Sequence, residues 1–205
     1  MINWEPIQTK LSVTADGVAG PRTYGALFDY VANEYLGTKS RDLGVGASTY
    51  LNRFGIYTPL RLAHFLGQTC VETEYFRYLR EIWGPTPAQN NYENNSGLGN
   101  VNIGDGKLFL GRGLIQITGR SNYEMVGKRV GIDLVSNPEL AERPDIAVLT
   151  ASDWWAAHGC NALADADERI KIGRLINCGN ANSLRMANGE GLRIAATNRA
   201  KEMLL

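Results

Sequence analysis

FLGQTCVETEYFRYLREIW, residues 65–83, sets three carboxylates (Glu72, Glu74 and Glu81) in a run otherwise rich in apolar and aromatic side chains. Just upstream, Thr58-Pro59 reads as an N-cap followed by proline at the first helical position. A helix is expected to open there and run through Glu72, and as far as Arg80 if nothing interrupts it. On that helix Glu72 shares a face with Phe65, Gln68, Thr69 and Phe76. The face is mixed rather than fully wet, and an apolar setting favours the protonated form of a carboxyl group. Glu74 points away from it and reads as a solvated position. Glu81 lies nine residues after Glu72. Nine steps leave half a turn and a rise of about 13.5 Å, so on one continuous helix the two side chains diverge. They can cooperate only if the helix ends before Glu81, and Trp83-Gly84-Pro85 makes a break nearby plausible.

Around this stretch the chain is of ordinary globular composition. Its 205 residues suffice for one substantial core and a small appendage, and 44% of them are hydrophobic. Twenty-one basic residues balance 21 acidic ones, which argues against a general affinity for nucleic acid or acidic membranes. MINWEPIQTKLSV has neither a basic leader nor an apolar run, and no stretch is long enough to span a bilayer. Synthesis and folding in a cytoplasm, with outside help for export, is therefore expected. Cys70, Cys160 and Cys178 are widely spaced and read as buried, reduced thiols. With His64 and His158 as the only histidines and no close His or Cys pair, neither a metal nor another cofactor is expected.

Helical periodicity dominates the rest. Residues 1–38 read as a small helical unit with a D-G turn, a G-P breaker and a second helix carrying Tyr24, Leu27, Phe28, Val31 and Tyr35. LSVTADGVAGPRTYGAL, residues 11–27, resembles about half of a bacterial peptidoglycan-binding module, whose hallmark is a D-G-x-x-G-P-x-T turn. Residues 39–205 form the second expected domain, with helices carrying Leu43 to Phe54, opening near Asn122 behind a Ser121 cap, ending at His158, ending at Gly179, and closing the chain. Between them GPTPAQNNYENNSGLGNVNIGDG, residues 84–106, shows little pattern, and its amides and aromatics suit sugar hydroxyls and N-acetyl groups.

Paired carboxyl groups flanking a bond are what glycoside hydrolysis needs, one as acid and one as base or nucleophile. AHFLGQTCVET (63–73) and LGNVNIGDGKLFLGRGLIQITGRSNY (98–123) resemble the two signatures of glycoside hydrolase family 19, the plant-type chitinases and their phage endolysin relatives. LINCG (175–179) is similar to a later segment, and the likeness runs in order over residues 60–205. It implies a mainly α, lysozyme-like domain with a cleft. It implies Glu72 as general acid, Glu81 as general base and Thr118 as a holder of the nucleophilic water. Gln116, Asn122 and Asn177 would line the sugar-binding face, and Arg199 would support the carboxylates. Glu74 and Glu93 are fallback bases. Val71 stands where the family has histidine, and the segment between the glutamates is shorter than in plant chitinases.

The family mechanism is inversion by single displacement, with carboxyl groups roughly 6.5 to 9.5 Å apart. Arg112, Gly111 and Gly113 are expected to build a tight backbone approach, and at least one of Trp154 and Trp155 to be core. The N-terminal unit and the short spacing favour the β-1,4 bonds of the peptidoglycan glycan strand over chitin. The implied setting is a monomeric lysis enzyme held in a host cytoplasm until a holin opens the membrane, acting then in the periplasm. The rivals are a chitinase, a non-catalytic wall-binding protein, and a retaining lysozyme-like enzyme or lytic transglycosylase.

Overall fold

A computed structural model describes residues 2–205, and its architecture is helical. Helix α1 (Trp4–Lys10) carries Pro6 in its first turn, and α2 (Pro21–Ala32) opens on Pro21. Next, α3 (Thr38–Tyr50) continues through a 3₁₀ turn at Leu51–Phe54 and stops at Gly55, which adopts the left-handed conformation. In α4 (Pro59–Glu72) the Thr58 side chain caps the start by accepting from the Arg61 backbone N–H. Two single turns follow, α5 (Pro87–Asn90) and α6 (Asp105–Leu108), then α7 (Arg120–Val130), α8 (Pro144–Ala157), α9 (Cys160–Asp165), α10 (Arg169–Cys178) and α11 (Glu190–Leu204). Among the described residues β structure is limited to two isolated bridges, Arg80 with Arg112 and Arg112 with Ile117. No described helix is long and apolar enough to cross a membrane.

The core forms around α4. Its Leu62, Ala63, Phe65, Leu66 and Cys70 meet Phe28 and Val31 of α2, Leu43 and Ala47 of α3, Ala151 and Trp155 of α8, and Ala196 and Ala200 of α11. Phe65 meets Trp155 edge-on at 5.5 Å between ring centroids, and Phe28 meets Phe76 at 4.9 Å. Burying one such side chain contributes about 1.5–3 kcal/mol. Ile7, Tyr24 and Leu27 belong to the same cluster, so continuous packing crosses the sequence boundary near residue 38. A smaller cluster of Phe109, Ile117, Tyr123, Val126, Leu134 and Ala141 lies under α7.

Burial pushes the Cys70 and Cys160 thiols up to about 12, in keeping with packing residues, whereas Cys178, expected to be buried too, lies at the end of α10 and is only partly covered. His64 is buried too, its Nε2 2.7 Å from Asp167 Oδ1, and burial is the first cause that lowers its pKa. The start of α7 differs from expectation. It opens at Arg120 behind Gly119, without a side-chain cap.

Two glycines set how closely helices approach. A Cβ on Gly44 would fall 2.8 Å from the Gly25 backbone N, so α2 and α3 touch backbone to backbone. A Cβ on Gly67 would fall 2.6 Å from the Thr197 Cα, where α11 crosses α4. Gly67→Ala should therefore lower stability by about 1–3 kcal/mol through overpacking. Gly191→Ala, on α11 with nothing within 4 Å, should instead raise it by about 0.5–1 kcal/mol. Urea melts of the two variants check both signs.

Candidate active site

Glu72 is the last residue of α4, and the close crossing at Gly67 brings α11 alongside it. Arg193 Nη2 donates to Glu72 Oε1, Nη1 to Gln68 Oε1 at 3.1 Å, and Nε to the Asn188 carbonyl at 3.0 Å. Gln68, fully buried, fills its other end by donating to the Arg169 carbonyl at 3.2 Å. The Arg193 side chain is 4% exposed and that of Glu72 13%, so this ion pair is shielded from water on the arginine side and opens to solvent at the carboxylate. Arg199, expected in the supporting role, does not hold it. Six residues further along α11 it has rotated to another face, where Nη1 donates to the Val31 carbonyl at 2.7 Å.

The helix does not run on to Arg80. Glu74, Tyr75 and Phe76 take φ of 48°, 64° and 63°, three consecutive left-handed residues that end the helical path. Leu79 and Arg80 then lie against residues 111–113. The Gly113 N–H donates to Leu79 O and the Glu81 N–H to Gly111 O, each at 2.8 Å. This is the break that the two-glutamate reading required.

Glu81 is held by three donors from three places. Oε2 accepts from the Gly111 N–H at 3.0 Å, and Oε1 accepts from Gln89 Nε2 at 2.9 Å and from the Tyr92 hydroxyl at 3.3 Å. Burial, and then the charge of Glu81, push the Tyr92 phenol above its ordinary value, which keeps its proton available for that bond. Gly111 is also the point on which the site converges. A Cβ there would lie 2.8 Å from Gln116 Oε1 and 3.3 Å from both Glu81 Oε2 and Thr118 Oγ1. Only a glycine leaves this space open.

From Thr118 the site continues into a cavity of about 240 Å³ lined by Gln116, Thr118, Asn122, Trp154, His158 and Ile176, among others. Gln116 sits at φ 54° with Nε2 on the Gly113 carbonyl, and Asn122 Nδ2 donates to the Thr118 carbonyl at 2.7 Å. His158 stacks on Trp154 at 4.0 Å between centroids. Trp155 is the buried member of the tryptophan pair. Asn177, beside Ile176, accepts from the Asn188 N–H at 2.9 Å, and Asn188 in turn receives Arg193. Thus Glu81, Thr118, Gln116 and Asn122 form one cluster, Glu72 and Asn177 form a second joined through Arg193 and Asn188, and Arg199 stands apart.

The two fallback carboxylates lie outside this arrangement. Glu74 is exposed at the turn. Glu93 clasps the backbone N–H groups of Gly104 and Gly106, at 2.6 and 2.8 Å. Arg112 makes the expected backbone approach through its bridges to Arg80 and Ile117, and its side chain, 5% exposed in the residue as a whole, bonds Glu142, the Leu108 carbonyl and the Tyr123 hydroxyl. Residues 84–106, expected to be patternless, are ordered by their own polar groups. Thr86 and Gln89 form a capping box, Asn95 caps the 3₁₀ turn Ser96–Leu98, and buried Asn100 joins the Tyr92 carbonyl to the Arg120 N–H. At least these amides serve the backbone. Asp105, held below the usual carboxylate range by the Arg120 guanidinium, pins the loop's far end.

Sequence reasoning passed over Arg193 and Gln89. Arg193 lies in the first turns of α11, where a cation opposes the helix dipole, and that misfit signals a specific partner. Gln89 completes a T-x-x-Q capping pattern that is readable at Thr86. Among the described residues, no group of three or more His, Cys, Asp or Glu side chains could hold a metal ion.

A family model described as Chitinase class I, of glycoside hydrolase family 19, matches residues 60–175. The chain belongs to glycoside hydrolase family 19. A glycosyl hydrolase family 19 domain-containing protein of Haemophilus influenzae is 40% identical over 88 residues, 43% of this chain and 42% of that protein. An endochitinase of Arabidopsis thaliana is 33% identical over 110 residues, 53% of this chain and 40% of its own length. The matches thus span about two fifths of these relatives. Among solved structures, chitinase C from Streptomyces griseus superposes with TM-score 0.64 at 19% identity, covering 87% of this chain and 90% of its own. The class IV chitinase from Zea mays gives 0.63 at 19%, with the same coverage. At that identity the likeness is one of fold.

Arg193→Ala should reduce turnover about tenfold or more by releasing Glu72 and leaving Gln68 without its donor. Arg199→Ala should stay within about twofold of wild type. Initial rates of both variants, with circular dichroism to check folding, test the reassignment.

Proposed function

We propose that the chain hydrolyses β-1,4 glycosidic bonds of an N-acetylhexosamine polymer by single displacement with inversion. The observation that carries this reading is the convergence of Glu81, Thr118 and Gln116 on the open face of Gly111, on a site whose other carboxylate is held by Arg193. Glu72 enters the reaction in its carboxylic-acid form and gives its proton to the glycosidic oxygen as the bond to the anomeric carbon breaks, and the Arg193 guanidinium takes up the carboxylate charge that is left. Glu81 takes a proton from a water steadied by Thr118, and that water attacks the anomeric carbon from the opposite face. One proton leaves Glu72 and one arrives at Glu81, so a proton exchange with solvent resets the pair.

Peptidoglycan is the proposed polymer. Its support is the D-G-x-x-G-P turn of residues 16–21 and the nine-residue step between the two glutamates. The biological setting proposed is a phage-type endolysin, monomeric, accumulating in the host cytoplasm and reaching the wall after a holin opens the membrane. Chitin is the second reading, favoured by the endochitinase names of several relatives.

Glu72→Gln should cut the rate by about 10²–10⁴-fold while the protein stays folded, because the amide keeps the shape and has no proton to give. A variant that keeps most of its activity would remove Glu72 from the mechanism. Mass spectrometry and anomer analysis of digests should show inverted products from peptidoglycan, released faster than from chitin oligomers. A retained anomer or an anhydro end would overturn inversion, and faster chitin turnover would reverse the substrate order.

A further inference from the structure

Gln89 lies on a four-residue turn of the 84–106 loop and is 2% exposed, yet all four hydrogen-bonding positions of its amide are filled. Oε1 accepts from the Thr86 N–H at 2.7 Å and the Gly84 N–H at 3.1 Å. Nε2 donates to the Ile82 carbonyl and to Glu81 Oε1, both at 2.9 Å. The amide cannot be turned round, because a flipped oxygen would face a carbonyl and a carboxylate and a flipped nitrogen would face two N–H groups. Gln89 therefore presents one fixed N–H to Glu81.

Tyr92 closes the same side. Its hydroxyl reaches the same carboxylate oxygen at 3.3 Å, and its ring lies 6.5 Å from that of Trp83. The Gly111 N–H holds Oε2. The carboxylate is thus fixed in rotation, with Oε2 turned towards the Gly111 face that it shares with Thr118 Oγ1 and Gln116 Oε1. Loop order and carboxylate order are one construction, since the N–H of Thr86, which caps the turn, donates to the same side chain that grips Glu81.

We infer that Gln89, assisted by Tyr92, is the positioning residue of the general base. Through it the 84–106 loop is part of the catalytic apparatus rather than a sugar-binding flap alone. Gln89 does not touch the reacting atoms. It keeps Oε1 occupied and Oε2 facing the attacking water. The inference rests on the reading of Glu81 as base.

Gln89→Glu separates the two functions of the side chain. A glutamate at this third helical position still accepts from the cap and keeps the turn. It replaces the N–H offered to Glu81 by a second carboxyl group. Like charge disfavours ionisation of the pair, so the base needs a higher pH to be free. Rates of reducing-end release from solubilised peptidoglycan strands and from chitin oligomers, measured on the full chain over about pH 4–9, should show three changes. Near neutrality kcat falls about tenfold or more, KM stays within about twofold, and the acid limb of the kcat profile moves up by about one pH unit. Tyr92→Phe should move the limb in the same direction by less.

Glu81→Ala is measured alongside. If Glu81→Ala is inactive while Gln89→Glu keeps the wild-type kcat and acid limb, the positioning role is overturned and the base assignment stands. A uniform loss at every pH, together with a lowered melting temperature, would also overturn it, as a merely structural effect. If Glu81→Ala stays active, or the wild type attacks neither polymer, the base reading itself fails.

Discussion

The site depends on where α4 stops. Three residues in succession, Glu74, Tyr75 and Phe76, adopt the left-handed conformation, which costs a non-glycine residue about 1–2 kcal/mol each. The turn persists because its neighbours over-determine it. Phe76 is fully buried against Phe28, its N–H donates to Thr73 Oγ1 at 3.1 Å, and the Tyr75 and Tyr78 N–H groups reach the Cys70 and Thr73 carbonyls. Strain held by packing in this way is characteristic of functional sites. Its result is that the chain leaves the axis of α4, and Glu81 is bonded to the 111–113 segment.

The two carboxylates are then held by different means. Glu72 meets a full positive charge, since Arg193 is nearly without solvent and bonded on both sides to Gln68 and Asn188. Glu81 meets neutral donors only, from Gln89, Tyr92 and the Gly111 backbone. A guanidinium holds a carboxylate by charge as well as by direction, whereas amide and hydroxyl donors hold it chiefly by direction. Losing a donor from the Glu81 side would therefore act mainly on orientation. Losing Arg193 would leave a carboxylate and a buried amide without their partner together.

Most of the helices were legible because they rest on local signals. Thr58-Pro59, Pro21 and Gly179 mark starts and a stop that the structure keeps. The family likeness was legible for the same reason, since its signatures are contiguous. What could not be read was whatever depends on distant contacts. The end of α4 is set by Phe76 finding Phe28, and no local breaker occurs between Glu72 and Phe76. Arg193 and Arg199 lie on one helix, and only the crossing at Gly67 decides which of them faces Glu72. The 84–106 loop looked patternless because its order comes from side chains bonding its own backbone, which leaves no hydrophobic period to detect.

That loop also explains how so short a link between the glutamates can serve. Eight residues separate Glu72 from Glu81, and three of them form the left-handed turn. So little chain cannot also enclose the base. The enclosure is supplied from further on instead, by Gln89 and Tyr92 on one side and Gly111 on the other. The buried Asn100 and the Asp105–Arg120 pair tie that loop to the start of α7, which carries Asn122. The base and the asparagine beside the cavity are consequently positioned by one continuous polar scaffold, even though the helices that carry the two glutamates' neighbours belong to different parts of the core.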